Sequence, residues 1–298
     1  MMRFAFIFIT LIVFGFPQTT FPGLNTWTNG QIVGLAGGGY LFSNHNDFRN
    51  AAILSGAKRQ FKFDVIKYPA GISGQSIMTN WAIKGHFVGV KVSRINYGLF
   101  EGRNMDNHKT GDYSAGDIHL QFGFAEHTEK ARLIIGLNGG LFLSQIEKTK
   151  AKAVTISPGL IFRSQIANFG LILQNYGKTY DSYGESVERL PTSWVISVAR
   201  RLKNLPLDLE FDYAYFTETE RYVITFSGRL ILNNGLIIKG GTSSNKADQM
   251  TNVSFIRNVF SDLGIGIAYE VEDIMFDMNT YTYGPGGFIF AMGISVRY

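Results

Sequence analysis

The residues best placed for chemistry are three carboxylates in the segment LPLDLEFDYAYF, where Asp208, Glu210 and Asp212 alternate with Leu209, Phe211 and Tyr213. An extended strand sends every second side chain to the same face, so the three acids form a ladder. Paired carboxylates can exchange protons with a substrate or line an ion path. A ladder of this kind in a barrel lumen more commonly pairs with cations on neighbouring strands, and Arg229 and Lys239 follow at suitable positions. The structural reading is the stronger. The histidines, His45, His86, His108, His119 and His127, are dispersed, with no pair at metal-ligand spacing. His119 shares a face with Asp117 and Gln121, which suits a luminal polar network. The loop from Asp106 to Asp112, DNHKTGD, lacks the spacing and bidentate glutamate of a calcium loop. AGGGY, Ala36 to Tyr40, has the glycines of a phosphate loop without the following Lys-Ser/Thr. No catalytic, metal-binding or cofactor constellation emerges, and the chain reads as non-enzymatic.

The elements that must position these residues are strands. Of 298 residues, 45% are hydrophobic and 17% charged, below the ~25% of a typical soluble domain. Glycine (34) and phenylalanine (25) are abundant and proline (7) is scarce, a mix suited to extended structure with tight turns. The net charge is +5, but the basic residues are scattered and form no dense run, so nucleic acid is not an expected partner. The chain has no cysteine, which excludes disulfides and thiolate sites.

At the N-terminus, Arg3 precedes an apolar run over residues 4–16, broken only by Thr10 and Gly15. About thirteen residues is too short for a bilayer-spanning helix, which needs ~20, and fits the core of a secretory signal peptide. The reading is a signal peptide over residues 1–20, a plug or periplasmic segment over 21–57, and a barrel over 58–298.

From residue 59 onward the period is two. Phe61, Phe63 and Val65 face one way while Lys62 and Asp64 face the other. The same alternation recurs at 77–83, 88–92, 118–124, 133–143, 154–162, 169–173, 194–198, 205–215, 222–226, 236–238, 253–255 and 263–269. It ends with Phe288, Phe290, Met292, Ile294, Val296 and Tyr298. That makes roughly fourteen strands, near the ~9–11 residues a tilted membrane strand requires. Residues 31–54 are ambiguous. Short turns near 84–86, 125–131, 163–167, 201–205 and 232–235 alternate with longer loops at 98–111, 176–190 and 272–285. This asymmetry is that of an outer-membrane barrel.

A soluble β-sandwich or lipocalin-like barrel would show the same alternation with its faces reversed. Small, neutral residues on the non-apolar faces favour a crowded lumen in a membrane barrel. So do aromatics near strand ends (Tyr68, Tyr97, Phe124, Tyr176, Tyr215, Tyr222, Tyr269), where interfacial girdles belong. In lipid the sheet must close, because an unpaired edge group costs several kcal/mol, on the order of one lost hydrogen bond in hydrocarbon. The first strand must therefore pair with the last. The expected fold is an all-β transmembrane antiparallel barrel of about 14 strands, with a short N-terminal segment at the periplasmic mouth, in the outer membrane of a diderm bacterium. The alternating C-terminal strand ending on Tyr298 resembles the signal that barrel-insertion machinery reads. Luminal Gly264, Gly266, Ala268, Ala291 and Gly293 leave room for either a ligand route or the N-terminal segment.

Several stretches resemble the PorV/PorQ family, whose barrels are similar to the FadL fatty-acid transporters. They are INYGLFEG (95–102), TGDYSAGDIHLQFGFA (110–125) and LILQNYGKTYDSYGESVERLPTSWVISVARRLKNLPLDLEFDY (171–213). The resemblance runs from about Tyr97 to the end and is closer to the PorQ branch in length. Upstream, GLAGGGYLFSNHNDFRNAAILSG takes the place of a glycine-rich segment ending in Asn-Pro-Ala-Gly-Leu. Asn50, Ala52 and Leu54 match, while Ala51 and Ile53 replace the proline and glycine. The resemblance implies a role in type IX secretion, with outer-membrane lipid, exported cargo domains and other secretion subunits as partners. The alternative is a FadL-like transporter of hydrophobic small molecules.

Overall fold

The computed structural model describes residues 21–42, 48–127, 132–184, 188–249 and 259–298. The expected signal peptide, His45 and the strand expected at Val253 and Phe255 lie outside the described residues.

Among the described residues, fifteen strands form one antiparallel sheet. They are β1 (Gln60–Lys67), β2 (Ser73–Ile83), β3 (His86–Arg103), β4 (Lys109–His127) and β5 (Leu133–Ile146). Then come β6 (Thr149–Arg163), β7 (Asn168–Gln174), β8 (Tyr176–Asp181), β9 (Ser193–Arg201) and β10 (Leu207–Phe216). The last are β11 (Arg221–Ile231), β12 (Leu236–Ser243), β13 (Leu263–Val271), β14 (Ile274–Thr282) and β15 (Phe288–Arg297). β1 pairs with β2 on one side and with β15 on the other, so the sheet closes first strand to last. β7 and β8 both pair with β6 and form one stave broken at Asn175. The barrel therefore has fourteen staves.

The alternation resolves with its apolar face outward. Phe61 and Phe63 are 45% and 36% exposed. Between them and next along the strand, Lys62 and Asp64 are 1% and 0% exposed. The same holds around the ring: Phe122, Leu141, Ile196, Phe226, Ile267 and Met292 are exposed, and Gln121, Asn138, Ser197, Ser227, Lys239 and Asp277 are buried. A continuous apolar belt around a polar interior suits a barrel whose outer solvent is hydrocarbon. Among the described residues no helix is long and apolar enough to cross a membrane. The two-residue turns Lys84–Gly85 and Glu272–Asp273 lie at the end where the sheet's first and last residues meet, while the two-residue turn Glu147–Lys148 lies at the other. In outer-membrane barrels the first of these ends is periplasmic.

Three expectations are corrected. The count of fourteen holds, but its membership changes, because β14 lies inside the stretch 272–285 read as a loop. Its alternation is blurred: Met275 and Tyr281 face inward while Thr280 and Thr282 lie on the outer face. The loop expected at 98–111 is also largely strand, since β3 and β4 run on to Arg103 and from Lys109, and β8 takes up the first part, 176–181, of the loop expected at 176–190. Finally, two of the expected girdle aromatics turn inward. Tyr68 donates its hydroxyl to Trp27 O at 2.5 Å, and Tyr97 donates to Asp117 Oδ2 at 2.6 Å. A β-bulge between Asn96 and Gly98 re-aims Tyr97, with Gly98 at φ 99° supplying a conformation that L residues avoid.

Candidate functional site: the occupied lumen

Residues 21–42 and 48–57 lie inside the barrel. Besides a 3-10 turn at Pro22–Leu24, two short helical pieces organise them: α1 (Gly30–Gly34) and a 3-10 helix, Ala51–Gly56. Each begins at an asparagine whose side chain accepts an orphan backbone N–H. Asn29 takes Gln31 N at 3.0 Å and Asn50 takes Ala52 N at 3.2 Å. The 3-10 helix packs Ala52 and Ile53 against Ile134, Ile161 and Ala199 towards the periplasmic end. Residues 21–42 reach much further, to Trp27 against Tyr281 near the opposite rim.

Such a segment exposes backbone groups that no sheet partner satisfies, and in a water-poor lumen they need partners. The wall provides acids. Glu210 accepts Leu41 N at 2.9 Å, and Asp212 accepts Gly39 N at 3.3 Å and Ser197 Oγ at 2.5 Å. Asp64 closes on Gly30 and Asp117 on Gly23, so tightly that a Cβ on either glycine would meet the carboxyl oxygen. Lys62 donates to Asn29 Oδ1 at 2.7 Å and stands 3.1 Å from Asp64. Ser76 and Asn138 donate to the carbonyls of Thr28 and Phe48 at 2.6 and 2.8 Å. Carboxylates from β1, β4 and β10 thus grip the main chain of the segment.

The ladder splits by role. Asp208 pairs with Arg229 at 2.9 Å, and the Arg229 guanidinium stacks 4.5 Å over Phe42 of the inner segment. Glu210 and Asp212 are used on the segment's backbone instead. Lys239 does not join the ladder. It reaches across Gly266, which has no side chain to block it, to Asp277 at 4.0 Å. His119 sits in the lumen with Nε2 3.2 Å from Thr155 Oγ1 and its ring edge-on to Phe142. Asp117, although two residues away, is engaged by Tyr97 and Ser144. Among the described residues no group of three or more potential metal ligands exists.

The small residues of β12 to β15 receive α1. A Cβ on Gly264 would lie 2.6 Å from Ala36 N, and one on Gly241 2.3 Å from Leu35 O. On the other side the fit is looser. A cavity of about 100 Å³ opens between the inner segment and the wall, lined by Leu24, Trp27, Tyr40, Lys91, His119 and Asn175 among others. Asn175, at φ 53°, breaks the stave there. Its N–H bonds Ser157 Oγ at 3.0 Å instead of a ladder partner. Its side-chain amide donates to Leu24 O at 3.3 Å and Pro191 O at 3.4 Å. Beyond the break β8 pairs with β6 alone, while β9 pairs with β7 only as far as Ser193. Leu190 bends inward at this gap and packs with Phe21, Phe142, Ala151 and Ala153.

Sequence reasoning singled out the ladder, His119, Arg229 and Lys239 but missed the gripping role of Asp64 and Asp117, the luminal Asp277 and the break at Asn175. Asp64 and Asp117 were legible as non-apolar positions of good strands. Asp277 was hidden with β14, and nothing local marks Asn175. The six C-terminal alternating residues lie on the lipid face, and Tyr298 Oη lies 3.0 Å from Thr79 Oγ1 on β2.

No family model matches the sequence. No curated protein matches it either. Solved structures do share the fold. A Pseudomonas aeruginosa FadL homologue superposes with a TM-score of 0.55 at 10% identity, over 91% of this chain and 98% of that one. The P. putida toluene transporter TodX gives 0.54 at 10% identity, over 84% and 92%. A TodX deltaS2 mutant, described as a monoaromatic hydrocarbon channel, gives 0.53 at 12% over 84% and 93%. These likenesses show a shared β-barrel fold. They lend nothing to the PorV/PorQ resemblance specifically, nor to a secretion role.

Proposed function

We propose that this protein passes hydrophobic small molecules into the outer membrane, with the broken stave at Asn175 as the place where solute leaves the lumen sideways. The observation that carries this reading is the free edge of β8. Among the described residues it has no strand partner on that side, and it faces the inner segment through Asn175. A closed ladder forbids lateral exit, because each broken main-chain bond in lipid costs several kcal/mol, on the order of a lost hydrogen bond in hydrocarbon. Here the ladder is already absent and side chains close the wall. Apolar residues flank the gap from both sides: Phe21, Phe142 and Leu190 on one, Tyr40, Ile172 and Val195 on the other. The likeness to the toluene transporter and the FadL homologue supports the same solute class. The acids of the lumen hold the inner segment; they need no role in chemistry.

The chain has no cysteine, so a single engineered pair can lock the gap. Asn175 Nδ2 lies 3.5 Å from Asn25 Oδ1, which makes Asn25→Cys/Asn175→Cys the pair of choice. Uptake of radiolabelled oleate and toluene is measured in proteoliposomes. Uptake that falls on oxidation and returns on reduction is the expected result. Uptake insensitive to the crosslink removes the lateral exit. If no hydrophobic solute is taken up in any state, and the protein purified from its native membrane brings secretion subunits or exported proteins with it, the transport reading gives way to secretion.

A further inference from the structure

We propose that the outer surface of β3 to β6 carries a binding site for the phosphorylated headgroup of an outer-leaflet glycolipid. Two cross-strand rows build it. The lower runs Arg94, Ile118, Leu143, Lys152, and the upper runs Asn96, Gly116, Gln145, Lys150. Every one of these positions alternates with the luminal residues Ile95, Asp117, Ser144 and Ala151, so the rows face outward. Gly116 has no side chain in the middle of the upper row, and the wall is indented there. A cavity of about 370 Å³ lies over it, bordered by Arg94, Asn96, Ser114, Gln145, Lys150 and Lys152.

Charge and height select the occupant. Among the described residues neither Arg94 nor Lys150 makes an ion pair, and Lys152 has only a distant one, 3.6 Å from Asp181. Three cations thus converge on one indentation against two nearby carboxyls: Asp181, and Asp117, which borders the cavity from the luminal face and is engaged there by Tyr97 and Ser144. The next row towards the periplasm is wholly apolar: Val92, Leu120, Leu141 and Val154. The indentation therefore sits where the lipid belt ends on the side of the projecting β3–β4 hairpin, which is the outer-leaflet side. A molecule that meets both surfaces has acyl chains below and an anionic headgroup above. Arginine and lysine donors suit phosphate oxygens, and each cation near an anionic lipid surface adds measurably to binding. Asn96, Ser114 and Gln145 supply neutral donors and acceptors for the sugar hydroxyls between the phosphates. The inference does not depend on what the lumen transports.

The test measures binding of bis-phosphorylated lipid A to the intact, detergent-purified barrel, with dephosphorylated lipid A and inorganic phosphate as comparison probes. Expected is saturable binding of the phosphorylated lipid that weakens with salt. It should fall at least about tenfold in the Arg94→Gln/Lys150→Gln/Lys152→Gln variant. Arg200→Gln, on the outer face at the opposite rim, should leave binding unchanged. These positions are exposed, so the barrel should keep its folded, heat-modifiable migration on gels. Equal affinity in the triple variant overturns the site. So does equally tight binding of the dephosphorylated lipid, or displacement of the lipid by inorganic phosphate at comparable concentration.

Discussion

The wall from β10 round to β1 and the wall from β6 to β9 hold the same inner segment in opposite ways. On the first side every stave has ladder partners on both sides, glycines let α1 press against the sheet, and carboxyls accept backbone N–H groups of the inner segment. On the second, one stave breaks, a cavity opens, and the contacts are single amide and hydroxyl bonds around Asn175. The difference teaches where a plugged barrel can give. A segment held by buried carboxyl acceptors on one side can stay seated while the other side opens.

The comparison breaks most sharply at the glycines. Gly264→Val puts a branched side chain where even a Cβ lies 2.6 Å from Ala36 N and Val33 O. Overpacking of this kind should cost about 3 kcal/mol. It should appear as a lowered unfolding midpoint of the heat-modifiable barrel and new protease cleavage within residues 21–42. Next comes Glu210→Ala, which leaves Leu41 N–H buried without its acceptor, at a cost of about 1–3 kcal/mol. Urea titration in detergent reads it, and an unchanged midpoint would mean that the ladder does not hold the segment.

On the loose side the effects should be smaller and local. Asn175→Ala removes the donors to Leu24 O and Pro191 O, about 1 kcal/mol. Global unfolding should move little while hydrogen exchange at residues 176–181 accelerates. If exchange there stays as slow as in β10, the two walls do not differ as described. The mildest is Thr179→Val, which deletes one bond, Thr179 Oγ1 to Glu188 O at 2.8 Å, worth about 0.5 kcal/mol. It should leave stability almost intact and raise solute uptake modestly if β8's edge is the exit.

Alternation, closure and stave number were readable because they are repeated many times along the chain. The strand LDLEFDYAYF survives any single ambiguous position, and so does the terminal FIFAMGISVR. β14 was not readable because its two faces are chemically mixed, with Met275 and Tyr281 inside and threonines outside. Tyr68 and Tyr97 were misplaced for a related reason. An aromatic at a strand end suits an interface equally well whichever way it points, and at Tyr97 a one-residue bulge decides. The ladder was legible as a luminal feature, but Lys239 was offered as its partner when a glycine on β13 sends it to Asp277.

The period of two belongs to the backbone of a single strand, so the sequence alone determined that this chain is a run of strands with one apolar face. Which face meets lipid, and what the other face holds, were decided by tertiary structure. Leu41 and Glu210 are 169 positions apart, Gly39 and Asp212 are 173, and Leu24 and Asn175 are 151. No local pattern joins residues at such distances. They meet only because ring closure encloses a lumen that the N-terminal segment enters, and because buried backbone groups take whatever acceptor the closed wall presents.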